Sequence, residues 1–314
     1  MLSQIELLKK YNLRIRGHLG QHLLMDPNTI RKIVDSLDLQ PGDRVFEIGP
    51  GLGAVTQEVL RRGFPLLAVE TDKKFVEILI RELLPEYPDT FKLVHADVLK
   101  CDLTELIKGT GRFSGTGSSL EAGCLSSSRK SACLHFKVIG NLPYYISTPI
   151  LFHLIEHAEV FSSAVMMLQK EVAARLTAEA GGDDYGRLSV TSRLYGETEF
   201  LFDVSPKCFL PPPEVTSRVV RYVFGKSDEG GGKKFLLEII RIAFSQRRKT
   251  LLSLLLHELK PKRSREDLER VFEKLGFASK VRGETLSLEQ FILLSEALEP
   301  ARGTGNGKRL PVGG

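Results

Sequence analysis

The stretch VIGNLPYYISTP (138–149) closes a short β run with an amide, a rigid Leu-Pro pair and two tyrosines. A turn needs only Gly140 and Asn141. The remaining residues suit chemistry on an aromatic amine. The exocyclic nitrogen of adenine shares its lone pair with the ring and is a poor nucleophile. It needs acceptors that hold its N–H bonds and favour a pyramidal, attacking geometry, not a strong base. The side-chain carbonyl of Asn141 and the backbone carbonyl of Leu142 are the candidate acceptors. Pro143 would fix the backbone that aims the second carbonyl, and Tyr144 would stack on the base. The alternative, a Pro-Tyr turn with Ser147 capping the next helix, accounts for Pro143 but not for Asn141. Tyr145 is left without a role.

A second cluster precedes it. In EIGPGLGAVT (47–56), Gly49, Gly51 and Gly53 let the backbone turn sharply and approach a ligand. Their GxGxG spacing departs from the dinucleotide pattern GxGxxG, and a tight turn is the bland alternative. Glu70 follows the first glycine by 70 − 49 = 21 residues, where an acid accepts hydrogen bonds from ribose hydroxyls. Asp97, in HADVL, would reach an adenine ring or cap the turn after it. Three glycines and two acids suit an adenosine ligand without a pyrophosphate, so S-adenosylmethionine fits better than NAD. No P-loop Lys-Ser/Thr pair is present, which disfavours ATP hydrolysis. A methyl would pass in line from sulfonium to nitrogen, with catalysis by positioning and electrostatics.

These residues need strand ends to hold them. RVFEI (44–48), PLLAVE (65–70), FKLVHA (91–96), KVIG (137–140) and AVMMLQ (164–169) read as strands. Helical patterns cover 27–38, 54–63, 72–84, a run from about Thr148, and the residues after 169. Asp26 and Pro27 open the first of these and Gly63 closes the second. Alternation of this kind predicts an α/β fold, a mostly parallel sheet covered on both faces. ETEFLFDV (197–204) and SRVVRYVF (217–224) are expected to add an antiparallel edge pair. GKSDEGGGK (225–233) reads as a linker to a small all-α domain over 233–299, so the first domain spans 1–225. In the second, 235–259 is expected as one long amphipathic helix, Ser264 opens another that Gly276 ends, and Ser287 with Gln290 caps a last helix over 288–298. The insert 108–131 reads as a mobile loop and the tail 300–314 as disordered.

The motifs together resemble the bacterial ribosomal RNA adenine N6,N6-dimethyltransferases of the KsgA/RsmA type. The resemblance spans about residues 10–298 and rests on LGQHLL (19–24), EIGPGLG, VETD (69–72), HADVL, GNLPYYISTP, MLQKEVAARL (167–176), YGRLSV (185–190), FLPPPEVTS (209–217) and AFSQRRKTL (243–251). It implies a Rossmann-like class I methyltransferase sheet with a small helical C-terminal domain. It also implies cofactor contacts from His22, Leu24, Gly49, Glu70, Asp97 and Asn141, with Gly51 in the same loop. The implied substrate is a pair of adjacent adenines in the hairpin near the 3′ end of small-subunit rRNA, within a pre-ribosomal particle. Leu23 stands where family members often have Phe, and the insert is longer than the family leads one to expect.

Composition agrees with such a protein. The 314 residues carry a net charge of +5, which permits a polyanionic partner. Arg247, Arg248 and Lys249, expected on consecutive helical positions, with Lys260, Lys262, Arg263 and Arg265 after them, suit phosphate contacts. The alternative is a solvated helix face. Lys9, Lys10, Arg14, Arg16 and His18 form a second basic patch. Phe209 is a candidate second ring for the target base, or else a core residue. Cys101, Cys124, Cys133 and Cys208 lack metal-ligand spacing, so no metal is expected. No apolar run suits a membrane span, and no signal peptide is expected. The expectation is a monomeric cytoplasmic enzyme. An Erm-type enzyme acting on large-subunit rRNA and a non-catalytic rRNA-binding assembly factor are the competing readings.

Overall fold

Five apolar runs become the parallel part of a seven-stranded sheet. The computed structural model describes residues 3–15, 21–110, 136–225, 232–259 and 263–299. The expected insert, apart from its first residues, and the expected tail lie outside these, as do Arg16, His18, Lys260, Lys262, Cys124 and Cys133. In chain order the elements begin with α1 (Gln4–Lys10), β1 (Leu23–Leu24), α2 (Pro27–Asp35), β2 (Arg44–Ile48), α3 (Ala54–Arg61), β3 (Leu66–Glu70), α4 (Lys73–Glu82), β4 (Phe91–His95) and α5 (Leu103–Thr110). They continue with β5 (Phe136–Asn141), α6 (Ser147–Glu156), β6 (Phe161–Gln169), α7 (Lys170–Thr177), α8 (Arg187–Tyr195), β7 (Gly196–Val204), β8 (Phe209–Leu210) and β9 (Ser217–Phe224). Helices α9 (Gly232–Ala243), α10 (Leu251–Glu258), α11 (Arg265–Lys274) and α12 (Leu288–Leu298) complete the chain.

The sheet order is β4-β3-β2-β5-β6-β9-β7. Strands β2 to β6 are parallel, and β9 runs antiparallel between β6 and β7. All five residues of β2 and of β3 are buried, as strands with both faces covered require. Their side chains meet Val59, Leu60, Leu79 and Leu83 of the flanking helices in one core. A separate two-stranded pair, β1 with β8, sets Leu23 opposite Leu210 and Leu24 opposite Phe209.

Caps set where helices begin. Asp26 accepts the Thr29 N–H at 2.7 Å with Pro27 next in line. That helix stops at Asp35, short of the expected 38. The Ser36 hydroxyl bonds back to the Lys32 carbonyl at 2.8 Å, and Asp38 has φ +50°. Ser264 and Ser287 form reciprocal capping boxes with Asp267 and Gln290.

The chain divides into two compact units. One comprises 1–177 and 192–227, and the other 178–191 and 228–314. The stretch 178–191, read from sequence with the first domain, therefore packs with the helices. Within that unit the Tyr185 hydroxyl donates to the Leu286 carbonyl at 2.7 Å, and the Gly181 N–H donates to the Glu284 carbonyl at 2.8 Å.

The expected helix over 235–259 is two helices. It breaks between Ala243 and Leu251, so Arg247, Arg248 and Lys249 lie in a turn. The Ser245 hydroxyl takes the Ile242 carbonyl at 2.7 Å, and the Leu251 N–H turns to the Val281 carbonyl at 2.8 Å. Thr250 then caps α10, accepting the Ser253 N–H. Replacing Thr250 by Ala is expected to destabilise the protein by about 1 kcal/mol, read as a lower denaturant midpoint with an unchanged slope.

Candidate active site

Parallel register brings the functional residues to one level. Ile48 pairs with Val69 on one side and with Gly140 on the other, and Glu70 pairs with His95. The strands thus deliver Gly49, Glu70, the loop of Ala96 and Asp97, and Asn141 side by side at their carboxyl ends. They border a cavity of about 810 Å³, within the size range of small-molecule sites. His22, Leu24, Gly49, Gly51, Glu70, Asp97, Asn141 and Pro143 all line it.

The glycine loop is held from below by the acid. Gly49, Gly51 and Gly53 have φ of +68°, +57° and +79°, a region that strains any residue with a Cβ. The Gly51 N–H donates to Glu70 Oε2 at 3.0 Å. The Thr71 and Asp72 N–H groups donate to its Oε1, each at 2.8 Å. Burial pushes the Glu70 carboxyl above the usual carboxylate range, against those three backbone donors, which pull it down. Glu70, expected from sequence as the ribose acid, is therefore the anchor of the loop, a task its position in the sequence does not disclose.

Glu47, which the motif reading passed over, lies beside it. This buried side chain lines the cavity floor and accepts the Thr56 hydroxyl at 2.6 Å. Burial pushes its carboxyl up to about 8; the Thr56 bond opposes this and the nearby Glu70 charge adds to it. The signal was present in RVFEI, where a charged residue interrupts a strand buried on both faces. Glu47, Glu70, Asp72 and Asp97 give the lining four carboxyls, and among the described residues it has no Lys or Arg. A lining rich in carboxyls and without Lys or Arg suits a cationic adenosine cofactor better than a pyrophosphate.

Asp97 caps a short turn, accepting the Leu99 N–H at 3.1 Å, and also lines the cavity. The segment from Gln21 to Leu24 forms another wall. His22 Nδ1 bonds the Pro211 carbonyl at 2.8 Å, Gln4 Nε2 donates to the Leu24 carbonyl at 2.6 Å, and Gln21 Nε2 donates to Asp72 at 3.0 Å. Asn141 Nδ2 donates to the His22 carbonyl at 2.9 Å. This bond fixes the amide's orientation and leaves Oδ1 as the acceptor.

Leu142 turns its side chain into the core and gives its N–H to the Met167 carbonyl at 3.2 Å. Pro143 begins a 3-10 turn, Tyr144–Ile146. The side chain of Tyr144 lies outside what is described. Ser147 does not cap α6; Ile146 holds that position without a side-chain bond. Phe209 takes the packing alternative. It is buried in the core cluster with Leu24 and Val34 and is not among the cavity-lining residues. It lies opposite Leu24 in the β1–β8 pair. Arg247 donates to Glu284 at 3.2 Å and to the Asp183 carbonyl at 2.8 Å. It stays exposed, as do Arg248 and Lys249.

The model of the ribosomal RNA adenine dimethylase family matches residues 12–298. A protein of Clostridium perfringens named ribosomal RNA small subunit methyltransferase A is 38% identical over 296 residues, covering 94% of each chain. Its namesake in Geobacillus kaustophilus is 37% identical over 305 residues, covering 95% of this chain and 96% of its own. Two solved structures share the fold at 24% identity. A dimethyladenosine transferase from Plasmodium falciparum has a TM-score of 0.68 and covers 87% of this chain and 95% of its own. The 23S rRNA methyltransferase ErmE has a TM-score of 0.63 and covers 88% of this chain and 100% of its own.

Two substitutions probe the buried acids. Between pH 4.5 and about 8 the unfolded chain releases the Glu47 proton while the folded chain keeps it. That stabilising contribution is full below pH 4.5 and lost as pH rises through 8. Glu47→Gln keeps the acceptor for Thr56 without the ionisation. Its unfolding midpoint should gain on that of the parent from pH 5 to pH 8.5, and a constant difference would count against the assignment. Glu70→Ala strands the Gly51 N–H. It should cost about 1–3 kcal/mol of stability and weaken S-adenosylhomocysteine binding in calorimetry.

Proposed function

Because the chain belongs to the ribosomal RNA adenine dimethylase family, we propose that it places two methyl groups on each of two adjacent adenines in the 3′-terminal hairpin of small-subunit rRNA. The enzyme is an S-adenosylmethionine-dependent rRNA adenine N6-dimethyltransferase. The finer reading adds a pre-ribosomal particle as substrate, a role in ribosome biogenesis, and a monomeric cytoplasmic enzyme.

The observation that carries the reading is the Asn141 amide, oriented by the His22 carbonyl at the cavity edge. Oδ1 is free to accept one N–H of the adenine amine. The Leu142 carbonyl accepts the other in this reading, and Pro143 stiffens the backbone between them. Holding both bonds favours the pyramidal nitrogen that attacks. The proton leaves to water after transfer, so no general base is needed. Tyr144 is the stacking ring. When bound, the cofactor supplies an electrophilic methyl on a sulfonium. Gly49 and Gly51 form its cradle, His22 and Leu24 the adjoining wall, Glu70 the ribose acceptor and Asp97 the adenine-end acceptor. The surrounding carboxyls favour its positive charge. Arg247, Arg248 and Lys249 are phosphate contacts in this reading, offered by a turn instead of a helix face.

Labelled methyl transfer to unmethylated small-subunit particles, mapped to nucleotide, tests the proposal. Label on the two hairpin adenines is expected. Label on large-subunit RNA alone would favour the Erm-type alternative, and no transfer at all would favour a non-catalytic assembly factor. Asn141→Ala should lower the transfer rate by about a hundredfold or more while the fold is retained by circular dichroism.

A further inference from the structure

Tyr145 is the residue of the NLPYY run that the reaction does not use. Its side chain is 71% exposed, more than any other large exposed hydrophobic residue among those described. It makes no hydrogen bond or ring contact with another described residue, unlike Phe200, whose ring lies beneath the Arg218 guanidinium. Of those exposed hydrophobics it is also the one that lines the cavity. A ring that borders the cavity and faces solvent stands at its mouth.

The backbone beneath the ring is held. Pro143 sets the chain direction, the Ile146 N–H closes on the Pro143 carbonyl at 3.1 Å, and α6 starts at Ser147. Tyrosine has few rotatable bonds, so a ring on such a turn loses little entropy on binding. A singly exposed aromatic needs no partner on its own; it is its place on the cavity lining that points to a ligand held there. Single-stranded nucleotides supply the matching chemistry, because every base has a face that stacks on an aromatic ring.

We propose that Tyr145 is a substrate-positioning residue that stacks on the base of a nucleotide flanking the methylated pair. The inference rests on the rRNA reading of this site. Extruding one adenine from a loop strips its neighbour of a stacking partner, and the Tyr145 ring replaces it. The neighbour is then held in place while the target is methylated.

The test is a cycle between protein and RNA. Small-subunit particles are reconstituted with an abasic ribose on one or the other side of the methylated pair. Methyl transfer is measured with the unaltered enzyme, Tyr145→Ala and Tyr145→Phe. Tyr145→Ala should raise KM for the intact particle about tenfold, leave the Kd for S-adenosylhomocysteine unchanged, and be rescued by Phe. On the particle lacking the stacked base, parent and Ala variant should be equal. Additive losses at both abasic positions, an unchanged KM, or a parallel loss of cofactor affinity would overturn the assignment. If the unaltered enzyme transfers no methyl to the intact particle, it is the rRNA reading that fails.

Discussion

Everything at the site depends on four parallel strands ending at the same level. A one-residue slip in a parallel pair would turn every side chain to the opposite face. Here Ile48 pairs with both Val69 and Gly140, and Glu70 with His95. The glycine loop, Glu70, Asp97 and the Asn141 amide therefore arrive together at one cavity from distant parts of the chain. The Gly51–Glu70 bond ties two of these strand ends directly, and the Asn141–His22 bond ties a third to the segment that walls the cavity.

The same bonds explain the choice of side chains. An aspartate at 141 would be a stronger acceptor for an amine, but it could not donate to the His22 carbonyl. The amide donates there and keeps an oxygen that can accept. Glu70 gives both oxygens to backbone N–H groups, Oε2 to Gly51 and Oε1 to Thr71 and Asp72, at the cost of a buried carboxyl whose ionisation burial opposes. Of the two buried acids, Glu47 keeps its proton up to about pH 8, so it serves the site as a neutral hydrogen-bonding group and not as a charge.

Most of this was legible in the sequence wherever the deciding signal was local. The strand RVFEI, the caps at Asp26, Ser264 and Ser287, and the antiparallel pair 197–204 with 217–224 were all found from short patterns. Distant partners decided the failures. Apolar residues recur on both sides of the six polar residues at 245–250, a gap a single helix could span, but the chain breaks there with the Leu251 N–H committed to Val281. Phe209 carries the same ring whether it meets a base or Leu24. Glu47 belongs to a motif whose glycines drew attention away from it, and only its neighbours reveal how deeply it is buried. The stretch 178–191 looks contiguous with the first unit, but its hydrogen bonds go to Leu286 and Glu284.

That last arrangement limits how the protein can be rebuilt. The chain crosses between its units three times, after 177, 191 and 227. The C-terminal helices are not a cassette that can be cut out at the glycine-rich joint and grafted elsewhere. An excised 232–299 would leave the Leu286 carbonyl without Tyr185 and Arg247 without the Asp183 carbonyl. Any exchange of the helical unit between relatives of this chain would have to carry both pieces together, as a discontinuous transplant.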